Sequence, residues 1–224
     1  MKTKDFMRAL NNYNLKVFTL NDAVKIIRKP SNYVSLFLSK IDSIKHLERG
    51  KYYVEGTDPA EIASNIIHPS YISLVYALAY YKSITQIPVG IDIMALRQHK
   101  PLRIENFSVR FIKLKRSRFF GYRNDGGVFI ADLEKAIVDC LAFNVDFFYI
   151  SESFINTMNK LDMSKLKEYA KAMNDRAIIN RLGFMLSKNG ISSDDLLPYR
   201  SRMYVRLSAN AYIKDEKWRV LYAD

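Results

Sequence analysis

The sequence predicts an α+β fold in two parts, residues 1–56 and residues 57–224. Three observations predict it. Short apolar runs at helical spacing fill the first part and then give way to Tyr52-Tyr53-Val54, a strand-like composition. Gly56-Thr57-Asp58-Pro59 marks a boundary: Asp58 suits a helix cap, Pro59 a first helical position, and Glu61 completes the box. Beyond it, strand-like runs are followed by a series of amphipathic helices.

In the first part, Phe6, Met7 and Leu10 share one face of a helix over residues 3–12. Lys16-Val17-Phe18 reads as a very short strand. Thr19-Leu20-Asn21-Asp22 has the pattern of a capping box, and Ala23, Val24 and Ile27 continue the buried stripe from Leu20. Pro30 is expected to end that helix, since the residue before a proline is pushed out of the helical region. Val34, Phe37, Leu38, Ile41 and Ile44 then recur at helical spacing, so one helix is expected to run through all of them. Its outer face carries Asn32, Tyr33, Ser35, Leu36, Ser39, Lys40 and Ser43, short or uncharged residues where solvated helices prefer Glu, Lys and Arg. A charged turn at Glu48 to Lys51 follows. Helix, short strand, helix, tight turn, helix, hairpin is the order of a winged helix-turn-helix.

That order gives the outer face a purpose. A recognition helix must approach base edges closely, and short hydroxyl and amide side chains allow it. The expected DNA-facing residues are Thr19 and Asn21 at the start of the second helix, then Lys29, Ser31, Asn32, Tyr33, Ser35, Leu36 and Lys40, and Arg49 and Lys51 on the wing. The cations are placed to meet phosphates. A small helical domain used for protein contact remains the alternative.

In the second part, residues 70–81 are apolar nearly all round and predict a buried helix. Residues 89–95, 107–114 and 127–132 have strand composition, with Phe107, Val109 and Phe111 alternating with Ser108 and Arg110. A helix with Leu133, Ala136, Ile137, Cys140 and Leu141 on one face comes next, and Lys135 and Asp139 fall four apart on another. Helices are expected over 151–161, 164–173 and 175–188, with Gly190 stopping the last. The tail has mixed strand and turn character. The second part is thus a mixed α/β domain.

The net charge of +12, with half the excess in residues 1–56, favours nucleic acid, an acidic membrane or an acidic protein as partner. With a single cysteine, Cys140, neither an intramolecular disulfide nor a Cys-rich zinc site can form. The apolar run at 71–81 is too short for a membrane span, and Met1 leads into Lys-Thr-Lys-Asp with no signal-like segment, so a cytoplasmic protein that meets no membrane is expected.

Several phrases together resemble the AbiEi family of antitoxins. Leu47, Arg49, Gly50, Lys51 and Tyr52 are similar to its wing, and HPSYISLVYALAYYKSI (68–84) to its Pro-Ser-Tyr-Ile-Ser phrase. IADLEKAIVDCL (130–141), NRLGFML (180–186) and KWRVLY (217–222) follow in the family's order over almost the whole chain. The resemblance implies a repressor that binds the operator DNA of its own operon through the winged helix. It also implies an antitoxin whose C-terminal domain counters a co-encoded nucleotidyltransferase-like toxin in a defence system, without stable direct binding. The wing here is compact and holds few basic residues, a departure that shifts expected DNA affinity toward the N-terminal helices.

Catalytic patterns are sparse. His46, His68 and His99 are far apart, and there is neither a phosphate-binding glycine loop nor a Gly-x-Ser-x-Gly elbow. No enzyme activity and no cofactor or metal is expected. Asp132, Glu134 and Asp139 keep a metal-dependent nuclease as the alternative, against a structural reading in which Asp132 caps a helix and Lys135 pairs with Asp139. A plain regulator without a toxin is another. RFIKLKRSRFFGYR (110–123) holds six Lys/Arg and no acid, with aromatics interleaved. Arg110, Lys113, Lys115, Arg116 and Arg118, extended by Arg97, Lys100 and Arg103, form a second candidate surface for DNA, RNA or a partner. Its alternative is a strand whose aromatics are core and whose cations are merely wet.

Overall fold

The computed structural model describes residues 1–223, and the chain is a mixed α+β protein with three sheets among those residues. The first segment runs α1 (Thr3–Asn12), β1 (Val17–Thr19), α2 (Leu20–Ile27), α3 (Ser31–Leu38), β2 (Ile44–Glu48) and β3 (Lys51–Val54). The strands form an antiparallel sheet in the order β1-β3-β2, with Phe18 opposite Tyr52. Phe6, Leu10, Phe18, Ala23, Val34 and Leu38 make its core, and Phe6 meets Phe18 and Phe37 edge-on. Burying a side chain such as Leu38 contributes on the order of 2 kcal/mol.

Two boundaries differ from expectation. Arg28, not Pro30, ends α2: it takes a left-handed φ of 57° and its N–H closes on the Val24 carbonyl at 2.7 Å. Pro30 instead stands at the N-cap of α3. The helix expected through Ile44 stops at Leu38. Ser39 turns its hydroxyl onto the Leu36 carbonyl at 2.9 Å, and two successive tight turns follow. Ile41 and Ile44 still face the core, but from a turn and from β2.

The rest of the chain is built on a second, larger core. Asp58 caps α4 (Pro59–Ser64) by accepting from the Ala60 and Glu61 amides. Glu61 does not complete a capping box, because its carboxylate takes Lys16 at 2.8 Å. There follow β4 (Ser70–Ser73), α5 (Leu74–Tyr80), β5 (Gly90–Ala95), β6 (Leu102–Ile104), β7 (Phe107–Lys113), β8 (Tyr122–Asp125) and β9 (Val128–Ala131). They give a six-stranded mixed sheet in the order β6-β7-β5-β4-β9-β8. The single helix expected over 70–81 is therefore corrected. Ser70–Ser73 is a fully buried central strand, and Leu74, at φ 57°, turns the chain into α5. A strand buried on both faces shows the same unbroken apolar run as a buried helix.

Helices α6 (Leu133–Ala142), α7 (Phe147–Thr157), α8 (Met163–Ala172) and α9 (Arg176–Lys188) pack on this core, and β10 (Val205–Arg206), β11 (Ile213–Asp215) and β12 (Val220–Tyr222) form a small sheet. Asp132 occupies the N-cap of α6, but its carboxylate makes no cap bond and instead meets Lys165 at 3.0 Å and Tyr169 at 3.2 Å. Lys135 and Asp139 do pair, in the core and not on a wet face. Asp139 also accepts from the hydroxyls of Ser73 at 2.8 Å and Tyr71 at 3.2 Å, and the Lys135 ammonium lies 4.8 Å from the centre of the Phe120 ring. Burial pulls the Lys135 pKa down and pushes the Asp139 pKa up, against their mutual attraction.

Trp218 is fully buried, and its ring N–H donates to Ser187 at 2.7 Å. A Cβ on Gly183 of α9 would overlap the Trp218 ring. The NRLGFML and KWRVLY phrases are thus packing partners.

Candidate nucleic-acid interface

The capping box sets the geometry of the first segment's open face. The Thr19 hydroxyl donates to the Asp22 carboxylate at 2.7 Å and accepts from the Asp22 amide at 3.2 Å, while the Thr19 amide donates to the same carboxylate at 2.9 Å. Thr19 is therefore committed to holding the start of α2. The Leu20 amide donates to the Gly50 carbonyl at 2.8 Å and ties the β2–β3 hairpin to that helix. Gly50 stands at φ 73°, a conformation the tight turn requires and side chains resist.

A cleft of about 550 Å³ opens between these elements. Thr19, Asn21, Ser35 and Arg49, all predicted from the sequence, line it together with Leu20, His46, Gly50 and Tyr52. His46 and Tyr52 were not expected there. They enter because His46 lies opposite Tyr52 across β2 and β3, a register the sequence did not reveal.

The outer face of α3 borders this cleft. Ser31, Asn32, Tyr33 and Leu36 are exposed, Ser35 is half-buried, and Lys29 and Lys40 are exposed at either end. Tyr33 is 49% and Leu36 59% exposed, large values for apolar-bodied side chains. The Asn32 side-chain oxygen accepts from the Tyr33 amide at 2.8 Å. Among the described residues Lys29, Lys40 and Arg49 make no ion pair. Lys51 differs from the other expected phosphate contacts, because its ammonium reaches Glu48 at 2.8 Å.

Glu48 is a bridge. It takes Lys51 and, at 3.1 Å, the ring Nε2 of His99 in the loop after β5. Burial pushes the Glu48 carboxyl up, but the bonds and charges of Lys51 and His99 outweigh it and hold the pKa below the usual carboxylate value. His99 packs on Phe111, ring centres 4.4 Å apart. The hairpin is thus fixed to the larger core by Glu48, as β1 is by the Lys16–Glu61 pair.

The second basic stretch does not form one surface. Arg110 and Lys113 point to opposite faces of β7. Arg110 is bound to Asp92 at 2.7 Å, Arg118 reaches Asp175 at 3.4 Å, and Arg97 donates to the His68 carbonyl at 3.1 Å. Lys113, Lys115 and Arg116 are exposed. The interleaved rings turn inward: Tyr122 stacks on Tyr71 at 4.9 Å, Phe119 meets Tyr71 at 5.1 Å, and Phe111 is buried. These rings are core and do not offer a base-stacking platform.

The acidic trio is also divided. Asp132 and Glu134 clasp Lys165 at 3.0 and 3.3 Å, while Asp139 lies in the core with Lys135. Among the described residues no three His, Cys, Asp or Glu side chains are grouped to hold a metal ion. No helix among them is long and apolar enough to cross a membrane.

No protein-family model and no curated protein matches this chain. The face shared by α2, α3 and the β2–β3 turn gathers the most predicted residues.

Proposed function

We propose that residues 1–56 are a winged helix-turn-helix and that the protein is a DNA-binding repressor of its own operon. The observation that carries this reading is the exposed face of α3. It is short, polar and apolar without charge, opens onto the cleft beside α2, and is flanked by cations at Lys29, Lys40 and Arg49. In the proposed complex α3 lies in the major groove with its first turn deepest. Asn32, Tyr33, Ser35 and Leu36 meet base edges, Lys29 and Lys40 meet phosphates, and Arg49 reaches the backbone or minor groove from the wing. Thr19 acts indirectly, by fixing the start of α2 so that Asn21 faces the DNA.

We further propose that the protein is the antitoxin of a toxin–antitoxin pair, not an enzyme. Residues 57–224 would counter a co-encoded nucleotidyltransferase-like toxin. The ordered phrases from Leu47 to Tyr222 support this part. Co-expression with the neighbouring gene product tests it: growth should be restored by residues 57–224 as part of the full chain carrying Asn32→Ala. Growth arrest that persists with intact full-length protein would remove the antitoxin role.

The repressor role is tested by measuring affinity for the upstream DNA of its own gene against a scrambled duplex. Preference for the upstream fragment is expected.

A further inference from the structure

The side chains that α3 exposes also restrict which bases it can read. This inference rests on the DNA-binding reading above and goes a step further. The helix reads SNYVSLFL and holds no Lys, Arg, Asp or Glu. Guanine is read in the major groove chiefly by Arg or Lys at its O6 and N7 acceptors, and the cytosine amino group by an acceptor such as Asp or Glu. Neither reader is present on the helix. Lys29 and Lys40 stand eleven residues apart, beyond its two ends, where the phosphate strands flank the groove.

What α3 does present suits the other base pair. Leu36 and Tyr33 lie three residues apart on the same exposed side, 59% and 49% open to solvent. The thymine C5-methyl is the apolar group of the major groove, and apolar side chains are what contact it. Asn32 is the amide that pairs with adenine N6 and N7. Its oxygen gives one lone pair to the Tyr33 amide, which leaves the second lone pair and both amide hydrogens for a base. Ser35, half-buried at the cleft, tolerates either base.

We infer that α3 selects A·T base pairs, with Leu36 and Tyr33 against thymine methyl groups and Asn32 on adenine. The occupant of this face is therefore an A·T-rich duplex site.

The test uses the full-length protein and a duplex pool randomised over about one helical turn, with binding at fixed salt. The recovered sites should be A·T-rich at their centre. Each thymine of the best site is then replaced by uracil, which removes the methyl and keeps the hydrogen bonds. One or two replacements should weaken the wild type about three- to fivefold each, the scale of one methyl group removed from water. Leu36→Ala should bind the thymine site more weakly and lose sensitivity to the uracil at that position. Leu36 is exposed, so the variant keeps its fold, which circular dichroism checks. Recovered sites with G·C centres would overturn the inference, as would equal uracil sensitivity in wild type and Leu36→Ala. Binding with no base preference would overturn it and leave DNA binding standing. No binding to any duplex would remove both.

Discussion

At the residue scale the proposed interface separates into groups that read and groups that hold. Lys40 is exposed at the end of α3 and makes no ion pair among the described residues, so its Ala variant should lose affinity evenly for all duplexes. The salt slope should also fall by about one phosphate contact. Asn32→Ala should instead narrow the gap between upstream and scrambled DNA, with each lost base contact costing about 1–3 kcal/mol. Competition binding of both variants against both duplexes checks the pair of outcomes. In the core, Asp139→Ala would strand the Lys135 ammonium among Tyr71, Phe120 and Met173. We expect a loss of about 3–5 kcal/mol in denaturant unfolding, since one partner of a buried pair is left uncompensated. Lys135→Met combined with Asp139→Leu should recover much of it. Spacing alone predicted this pair but not its burial, because opposite charges four apart look the same on a wet helix face and inside a core. Likewise, nothing local to Lys51 discloses that Glu48 holds it, or that His99, fifty-one residues beyond Glu48, completes the bridge.

At the element scale, two helix starts were complete in local chemistry, whereas the end of α3 and the bounds of α7, expected over 151–161 and found at Phe147–Thr157, were not. Thr19 with Asp22, and Asp58 with Pro59, are complete within a few residues and could be read directly. The end of α3 could not, because Val34, Leu38, Ile41 and Ile44 all face the same core although only the first two are helical. β4 was hidden for a related reason: its four residues are buried on both faces and continue without interruption into α5. Attachment of the β2–β3 hairpin is the element-level feature with a testable consequence. Glu48 has a lowered folded-state pKa, so the stability it contributes is present above its ordinary value of 4.5 and is lost as pH falls through the lower folded value. Carboxyl-carbon NMR should find the Glu48 midpoint below 4.5, and His99→Ala should raise it. An unchanged midpoint in that variant would show that His99 does not hold the hairpin. A second junction, α9 against the C-terminal strands, depends on Gly183. Gly183→Ala would overlap the Trp218 ring and should cost at least about 1–3 kcal/mol. Trp218 is the only tryptophan, so its fluorescence during unfolding reports this junction directly.

At the scale of the whole molecule, two cores share one chain and are joined by two polar contacts, Lys16–Glu61 and Glu48–His99, and by Val17, Leu47 and Tyr53 packing on the larger core. The order of elements in residues 1–56 was legible because short helices and a hairpin carry strong local signals. The six-stranded sheet was only partly legible, since β6 and β8 are short edge strands and β8 overlaps the end of a basic, aromatic run. Charge supports the same division of roles: half of the net +12 sits in the first quarter of the chain. In the second basic stretch Arg110 and Arg118 are paired with Asp92 and Asp175 and the aromatic rings face the core, while Lys113, Lys115 and Arg116 stay exposed. DNA affinity should follow α3 and the β2–β3 turn. Replacing Lys113, Lys115 and Arg116 together by Ser should lower affinity much less than Lys40→Ala with Arg49→Ala.

The most direct test of the account is the affinity of the full-length protein for its own upstream DNA and for a scrambled duplex over a salt series. We predict tighter binding to the upstream fragment at every salt concentration, with log affinity falling linearly in log salt on both duplexes. Equal affinity for the two duplexes throughout, or no binding to either, would contradict it.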